Sequence, residues 1–467
     1  MGTIKAKLLK NLLVVLGVYF IFPMGGNGQT RVTELKRLSD FNEPSASWKV
    51  VSDVGIELKR PNSLIEMKNA EQEVLWNNPT KRAPGEDLYT NESFGDLQLE
   101  LDFMMKEDGN SGIYLQGRYE VQLADSWLVN HMSSESSGGI YGVMSPRVNA
   151  SKAPGLWQHL KVFFKAPKFD GSGTKTENAK ILRVELNGMV VQENVELLGP
   201  TAGTVAGDEV SNAPLRIQGD HGAVAFKNIQ VTHGLDNYEE LTSTADPIWV
   251  DYNNTPVLRS FMDISLHTGR HRVVHAISVA SSQNLHYTYD LDHGSLIQVW
   301  RGGFLDATPM WDGRGNGTSI PLGVVQQLSG AVLNVAQLAD INQEWPKDTV
   351  ATGFKPKGYK LTANNNPVFQ YELYGNQVED RIEVSEGDGV IHRFIQINDN
   401  QPGWYALLAD SESIKQVDKS TFLIGDKQYY LQINNLKKNK PIIRETPEGR
   451  FQLLVEVNME VEYSIIF

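Results

Sequence analysis

The sequence predicts an all-β protein built from two β-rich domains. Residues 97–103 alternate apolar with polar side chains, which is the period of a half-buried strand. Asn187-Gly188 follows another such run and predicts the tight turn of a β-hairpin. Comparable short runs recur along the 467 residues with almost no helical periodicity. Many short strands without intervening helices favour packed β-sheets.

Four segments are expected along the chain: a signal peptide at 1–28, a β-sandwich domain at 29–235, a linker at 236–255 and a second β-rich domain at 256–467. The linker is placed where residues 234–248 are polar and show no period. The length alone is compatible with two or three domains, and two are favoured because β-sandwiches are large.

The first 28 residues have the organisation of a secretory signal. Lys5, Lys7 and Lys10 precede an apolar run at 12–22, which is shorter than the roughly 20 residues of a membrane helix. Small residues then offer a cleavage site, so Gln29 is the predicted mature N-terminus. We expect an exported, periplasmic or extracellular protein; an N-terminal membrane anchor is the alternative.

Charge and cysteine content exclude several classes of site. The formal net charge is −13, and it falls to −16 without residues 1–28, which hold three lysines and no acid. A strongly acidic chain does not favour nucleic acid or an anionic membrane as partner. The sequence has no cysteine, which excludes disulfides, thiolate catalysis and cysteine zinc sites.

Core residues, strands and one loop can be predicted along the first domain. Trp48, Ile65 and Trp76 are its expected core near the N-terminus. The remaining predictions are a strand at 157–164, a loop at 167–174, a hairpin arm at 182–190 and a closing strand at 224–231.

Polar side chains on two predicted strand segments form the candidate site. Because successive strand residues point to opposite faces, Arg118, Glu120 and Gln122 share one face. In a second stretch, Arg216 and Gln218 alternate with apolar residues, and the strand runs out into Asp220 and His221. A solvated sheet surface is the alternative, but two such faces together predict one site on a sheet, with Glu120, Gln122 and Gln218 on its concave side.

The second domain carries its own cluster of aromatic and polar residues at 298–315. Trp300 and Trp311 are candidates for stacking on sugar rings, and Asp306, Asp312 and Arg314 for binding hydroxyls. The alternative is that these residues support a turn-rich core.

Ten motifs in the first domain resemble the 3-keto-disaccharide hydrolase family, whose fold is a concanavalin A-like jelly-roll sandwich. In chain order they are FGD at 94–96, NSGIY at 110–114, YEVQ at 119–122, DS at 125–126, GGIY at 138–141, APGLWQ at 153–158, APKFD at 166–170, LNG at 186–188, NVEL at 194–197 and QGDHG at 218–222. The second half is similar to a β domain found beside this one in exported bacterial proteins, on the basis of WRGGF at 300–304 and MWDGRG at 310–315.

The resemblance implies a substrate glycoside already oxidised to a ketone at C3, and hence an exported glycoside-oxidising enzyme as a candidate partner. The ketone acidifies the C2 hydrogen, so cleavage proceeds by proton abstraction, β-elimination and addition of water. Such a site needs a base, an acid and donors for the enolate oxygen.

Residue roles follow from that chemistry. His221 is the first candidate for base or acid, because imidazole titrates near neutral pH. Glu120 shares that role, and Asp125 orients His221 or joins Glu120 in binding a divalent cation. Metal requirement is left open, since no fixed ligand spacing is present. The expected substrate-binding residues are Arg118, Gln122, Gln218, Asn110, Tyr114 and Arg216.

Two other functions fit the same fold. A two-carboxylate glycoside hydrolase would need an E-x-D-x-x-E strand, but Glu100 and Asp102 are followed by Met105 where the second glutamate belongs. A non-catalytic carbohydrate-binding protein is the other alternative, because a fold by itself implies no activity.

Overall fold

The structure is a computed structural model that describes residues 31–57, 60–67, 73–204, 207–241, 245–266, 269–328, 330, 332–398 and 402–467. The predicted signal peptide and cleavage site lie outside the described residues. None of the helices in these ranges is long and apolar enough to cross a membrane.

The first domain consists of strands with one short 3-10 helix at Leu38–Asp40. Its strands are β1 (Val32–Leu35), β2 (Phe41–Asn42), β3 (Trp48–Val51), β4 (Val54–Glu57), β5 (Arg60–Glu66), β6 (Val74–Asn77), β7 (Leu88–Phe94), β8 (Leu97–Met105), β9 (Asn110–Leu115), β10 (Tyr119–Ala124), β11 (Gln158–Lys165), β12 (Lys168–Phe169), β13 (Lys175–Glu177), β14 (Ala179–Leu186), β15 (Met189–Leu197), β16 (Ala213–Ile217) and β17 (Val224–His233).

Two antiparallel sheets of this domain enclose one apolar core. The larger sheet has the order β15-β14-β11-β8-β17-β6-β3 with β1 beside β17, and the smaller has the order β10-β9-β16-β7-β2. Leu99, Leu101 and Phe103 of the larger sheet and Val121 and Leu123 of the smaller belong to this core. The facing sheets confirm the predicted all-β jelly-roll sandwich.

Most local predictions for the first domain are confirmed. Asn187 and Gly188 both have positive φ, at 51° and 81°, as a type I′ hairpin turn requires. Trp48 and Trp76 are buried, whereas the prediction that Ile65 is core is wrong, since its side chain is 40% exposed. The predicted loop at 167–174 contains the two-residue strand β12, which pairs with β13.

The second domain is also all-β apart from one helical turn, α1 (Thr308–Trp311). Its strands are β18 (Trp249–Val250), β19 (Val257–Leu266), β20 (Gly269–Val279), β21 (Leu285–Asp290), β22 (Ser295–Asp306), β23 (Ile320–Gln327), β24 (Val335–Gln337), β25 (Lys355–Leu361), β26 (Pro367–Leu373), β27 (Asn376–Val384), β28 (Ile391–Ile397), β29 (Trp404–Ser411), β30 (Ile414–Gln416), β31 (Thr421–Ile424), β32 (Tyr429–Ile433), β33 (Pro441–Glu445), β34 (Phe451–Glu456) and β35 (Glu460–Ile466).

The described strands of this domain form three sheets, with six, four and eight strands. The six-stranded sheet has the order β18-β22-β21-β20-β19 with β23 beside β22. Because β18 begins at Trp249, the sheet starts inside the segment predicted as linker. The beginning of that segment packs on the first domain, where Tyr238 contacts the Phe163 ring edge-on and the backbone carbonyl of Glu239 accepts a hydrogen bond from Arg183.

A buried ion pair joins the two domains. Lys427 Nζ lies 2.6 Å from Asp53 Oδ1, and both side chains are almost wholly buried. Beside it, the backbone carbonyl of Lys427 accepts a hydrogen bond from the backbone N–H of Trp157. The indole of Trp127 donates to the backbone carbonyl of Phe467 at 2.8 Å. The second domain therefore packs against the first through polar as well as apolar contacts.

We expect Asp53→Ala to destabilise the protein by about 3–5 kcal/mol, because it leaves the buried Lys427 ammonium with only the exposed carboxylate of Asp426, 3.7 Å away, as counter-charge. The measurement is urea denaturation followed by tryptophan fluorescence. Lys355→Ala is the matched control, since it breaks the exposed pair with Glu372 and should cost less than about 1 kcal/mol. Equal midpoints for Asp53→Ala and wild type would contradict this assignment.

Candidate functional site

A row of polar side chains crosses the smaller sheet of the first domain. The antiparallel register aligns Glu120 of β10 with Tyr114 of β9, Tyr114 with Arg216 of β16, and Arg216 with Tyr89 of β7. Directly paired residues lie on the same face of a sheet. The neighbouring residues on these strands, among them Val121, point into the core, so the row lies on the opposite, outer face. We call these four residues the outer-face row.

A second row runs beside the first. Gln122 pairs with Gly112, and the backbone N–H of Gln218 donates to the carbonyl of Gly112 at 2.9 Å. Glu120, Gln122 and Gln218 therefore lie on one face, as predicted. Gln122 also donates to Asn110 Oδ1 at 2.7 Å, which brings another predicted residue to this surface.

Three of the four residues of the outer-face row are buried although the row points away from the core; Tyr89 is partly buried. Glu120, Tyr114 and Arg216 are at most 3% exposed. The segment 201–204 covers them: Thr201 Oγ1 accepts a hydrogen bond from the Glu120 backbone N–H, and the Gly203 carbonyl accepts one from Arg216. These side chains thus form a partly desolvated polar cluster beneath that segment.

Glu120 is the residue whose environment is most unusual for a carboxylate. Burial raises the pKa of its carboxyl group above the ordinary value, while a hydrogen bond from Tyr114 and the charges of Arg216 and His221 lower the pKa. Its Oε2 atom has no hydrogen-bond partner among the described residues. A buried carboxylate with a free oxygen can hold or release a proton toward a ligand.

Arg216 connects the row to the loop that carries His221. Its guanidinium lies 3.9 Å from the ring centroid of Tyr114, and its Nε lies 2.6 Å from Asp87 Oδ2. The other oxygen of Asp87 accepts a hydrogen bond from the Gly219 backbone N–H at 3.0 Å. Asp87 therefore fixes both the arginine and the beginning of the 219–222 loop.

His221 lies at the edge of this cluster and is half exposed. Its Nδ1 is 2.5 Å from Asp220 Oδ1. Asn77 anchors the 219–222 loop, because its side-chain amide donates hydrogen bonds to the backbone carbonyls of Gly219 and Gly222. Gly222 has φ of 128°, and a Cβ on Gly219 would lie 2.1 Å from the Glu86 carbonyl oxygen, so both positions require glycine.

Two predicted residues have other partners than expected. The prediction that Asp125 orients His221 is corrected, because the oxygens of Asp125 accept hydrogen bonds from the backbone N–H groups of Asp108 and Trp127. The carboxylate that contacts His221 is Asp220. Arg118 donates to the backbone carbonyls of Gln116 and Asp208, so it stabilises the turn between β9 and β10.

Asp87, Tyr89 and the segment 201–204 belong to the site but are absent from the residues predicted from sequence. Asp87 and Tyr89 alternate with the buried Leu88 and Thr90, which is the same signal that identifies Glu120 and Gln122. Alternation could therefore have found both residues. Segment 201–204 follows no period, and only the fold places it over the row.

Metal binding has no support from the arrangement of the described side chains. No group of three or more His, Asp or Glu residues within the described ranges is placed to hold a metal ion. Asp125 and Glu120, the predicted pair of cation ligands, have separate hydrogen-bond partners.

Glu100 and Asp102, the two carboxylates compared above with the E-x-D-x-x-E strand of glycoside hydrolases, lie on the larger sheet. Glu100 and Asp102 face away from the core on β8, and both contact the His159 ring, at 3.3 and 2.8 Å. Phe103 and Leu101 on the same strand fill the core. The larger sheet therefore has no paired carboxylates in a cleft at this position.

A cavity of about 1400 Å³ lies mainly in the second domain, and Lys152 is its contribution from the first. Burial lowers the pKa of Lys152 to about 8. No residue of the outer-face row lines this cavity. Convergent polar groups with perturbed pKa values, rather than volume, distinguish the polar cluster around Glu120.

We expect Gly112→Ala to destabilise the protein by about 1–3 kcal/mol, since the new Cβ would lie 2.2 Å from Glu120 Oε1. In a Glu120→Ala background the same change should cost less, because the clashing side chain is gone. Urea denaturation of the four proteins in this double-mutant cycle measures the coupling. Gly171→Ala, which meets nothing within 4 Å, is the control. Strictly additive costs would refute the packing of Glu120 across Gly112.

Glu120 should also make stability depend on pH. Because its folded-state pKa is raised, its stabilising contribution is complete below the ordinary value of 4.5 and is lost as pH rises through the raised pKa. Glu120→Gln cannot ionise, so wild type should lose stability relative to this variant over the pH range above the ordinary value of 4.5. Thermal unfolding across that range tests the sign; a relative gain for wild type would contradict it.

Comparisons with known proteins agree with the motifs in the first domain. Residues 38–232 match the sequence model of the family described as 3-keto-alpha-glucoside-1,2-lyase-like domain. No curated protein matches the chain.

Three of the solved structures that match come from Parabacteroides distasonis and are provisionally named glycosyl hydrolases. One is 24% identical, covers 44% of this chain and 92% of its own, and has a TM-score of 0.31. Another is 18% identical, covers 44% and 99%, and has a TM-score of 0.29. These matches cover less than half of the chain. The resemblance predicted from the sequence is thus confirmed for one part of the protein: residues 38–232 match the 3-keto-alpha-glucoside-1,2-lyase-like domain family.

Proposed function

We propose that the chain is an exported enzyme that cleaves the glycosidic bond of 3-keto-glycosides. The observation that carries this proposal is the buried Glu120 in hydrogen-bond contact with Tyr114, beside Arg216 and close enough to His221 for its charge to lower the pKa of Glu120. The family match adds a carbohydrate-active context to this site.

His221 is the proposed base that removes the C2 proton. With Nδ1 held by the Asp220 carboxylate, Nε2 is the imidazole nitrogen left as proton acceptor. Asp220 also stabilises the imidazolium that forms on proton transfer. The half-exposed position of His221 allows a sugar ring to approach the ring nitrogen.

Glu120 is the proposed acid. The protonated carboxyl group gives its proton to the anomeric oxygen of the leaving group, and burial, which raises the pKa of Glu120, favours this protonated form. The charge of Arg216 lies beside it, where it stabilises negative charge on the C3 oxygen of the enolate. Gln218, whose Oε1 has no described partner, accepts a hydrogen bond from a sugar hydroxyl.

The bonds change in two stages. The C2–H bond breaks and its electron pair moves into the enolate. The C1–O bond then breaks, with the electrons of the enolate forming the C1=C2 double bond of an enone, and the leaving sugar takes the proton from Glu120. Addition of water to C1 and of a proton to C2 completes net hydrolysis. The substrate must first be oxidised at C3, so we propose an exported glycoside-oxidising enzyme as the functional partner.

The test compares a disaccharide oxidised at C3 with its unoxidised counterpart. We expect enone or 3-keto sugar only from the oxidised compound, detected by chromatography and mass spectrometry. Enone alone would indicate that the reaction stops at elimination. Binding without turnover would support a carbohydrate-binding protein, and cleavage of the unoxidised compound would support the ordinary hydrolase.

We expect His221→Ala and His221→Gln each to reduce turnover by roughly 10²–10⁴-fold, the usual contribution of a general acid or base. The glutamine keeps hydrogen bonding but cannot accept the proton. His159→Gln is a matched control, since His159 is similarly exposed and also bonded to a carboxylate, but on the other sheet. Near-normal turnover by His221→Gln would reduce His221 to a binding residue and leave Glu120 as the base.

A further inference from the structure

Three aromatic side chains near the start of the second domain are exposed to solvent. Trp249 is 64% exposed, Trp311 46% and Tyr252 43%. Other tryptophans of this domain are core residues: Trp300, Trp345 and Trp404 are at most 6% exposed. The contrast corrects one prediction, because Trp300 packs inside and donates to backbone carbonyls, while Trp311 remains available to a ligand.

The strand register builds a flat surface around Trp249. Trp249 of β18 pairs with Asp306 of β22, and Asp306 pairs with Ile320 of β23, so the three side chains lie in a row on one face. Ile320 is 52% exposed. The row spans two strand spacings, roughly 10 Å, which is the scale of two linked sugar rings.

Trp311 lies next to this row. It ends the helical turn α1, which begins two residues after Asp306, and its backbone N–H donates to the carbonyl of Ala307. Ala307 in turn donates to the carbonyl of Ile248, the residue before Trp249. These hydrogen bonds fix the segment bearing Trp311 to the segment bearing Trp249. We call Trp249, Asp306, Ile320 and Trp311 the Trp249 platform.

We propose that the Trp249 platform binds a neutral polysaccharide. The apolar faces of sugar rings stack on exposed indoles, as aromatic rings stack on other flat groups. Asp306 Oδ1 accepts a hydrogen bond from the Thr308 backbone N–H at 2.8 Å, which fixes the carboxylate and leaves Oδ2 for a sugar hydroxyl. The formal charge of −13 disfavours an anionic chain.

This site is independent of the proposed catalysis. The platform is formed by strands of the second domain, whereas the outer-face row is formed by strands of the first. Its function is to hold the protein on a polymer, and it requires neither an oxidised sugar nor Glu120. Loss of one activity therefore leaves the other measurable.

The test uses affinity gel electrophoresis with soluble xylan, mixed-linkage β-glucan and starch, and sedimentation with microcrystalline cellulose. We expect the whole protein to bind at least one of these. Each single change, Trp249→Ala or Trp311→Ala, should weaken that binding roughly 2- to 10-fold, and the double change roughly 10- to 100-fold. Trp311→Phe keeps a ring and should lose less than Trp311→Ala.

Two control variants show whether binding belongs to the platform. Tyr359→Ala removes an exposed aromatic ring from another sheet of the same domain and should leave binding unchanged. Glu120→Gln should also leave it unchanged, whatever its effect on turnover. No retention by any of the four polysaccharides would overturn the proposal, as would equal binding by the double variant. A dimer in analytical ultracentrifugation that the double variant abolishes would overturn it too, because the platform would then be a contact between copies of the chain.

Discussion

The antiparallel register of β9 between β10 and β16 is the constraint on which the candidate site depends. It sets Glu120, Tyr114 and Arg216 side by side although they come from distant parts of the chain. A shift of one residue in either pairing would turn one of the three into the apolar core. The core side chains that alternate with them, such as Val121 and Ile217, therefore determine the chemistry by fixing the register.

The same constraint explains why much of the fold and part of the site could be predicted from sequence. Alternation of apolar and polar residues reveals strands, and it assigned Glu120, Gln122 and Gln218 to one face without any knowledge of pairing. It does not reveal which strands are neighbours. The contact of Arg216 with Asp87, which joins β16 to the residue before β7, is a product of strand order and was invisible in the sequence.

Contacts made by loop residues are harder to predict from sequence, because loop side chains do not alternate with a regular period. Asp125 and Asp220 are both acidic residues at the ends of strands, and sequence offers no means of deciding which one contacts His221. The structure decides through backbone hydrogen bonds: Asp125 accepts them from neighbouring turns, and Asp220 remains beside the imidazole. Trp300 and Trp311 present the same difficulty in the second domain, where burial separates a core residue from a surface one.

The pair formed by Asp53 and Lys427 has a consequence for biosynthesis. Asp53 belongs to the beginning of the chain and Lys427 to its last strands, so the acid is made long before its counter-charge. Until then the Asp53 carboxylate stays hydrated, and the apolar surface around Leu156, which later packs on Tyr430, stays open to water. The first domain therefore reaches its final surface only once the second domain has folded against it.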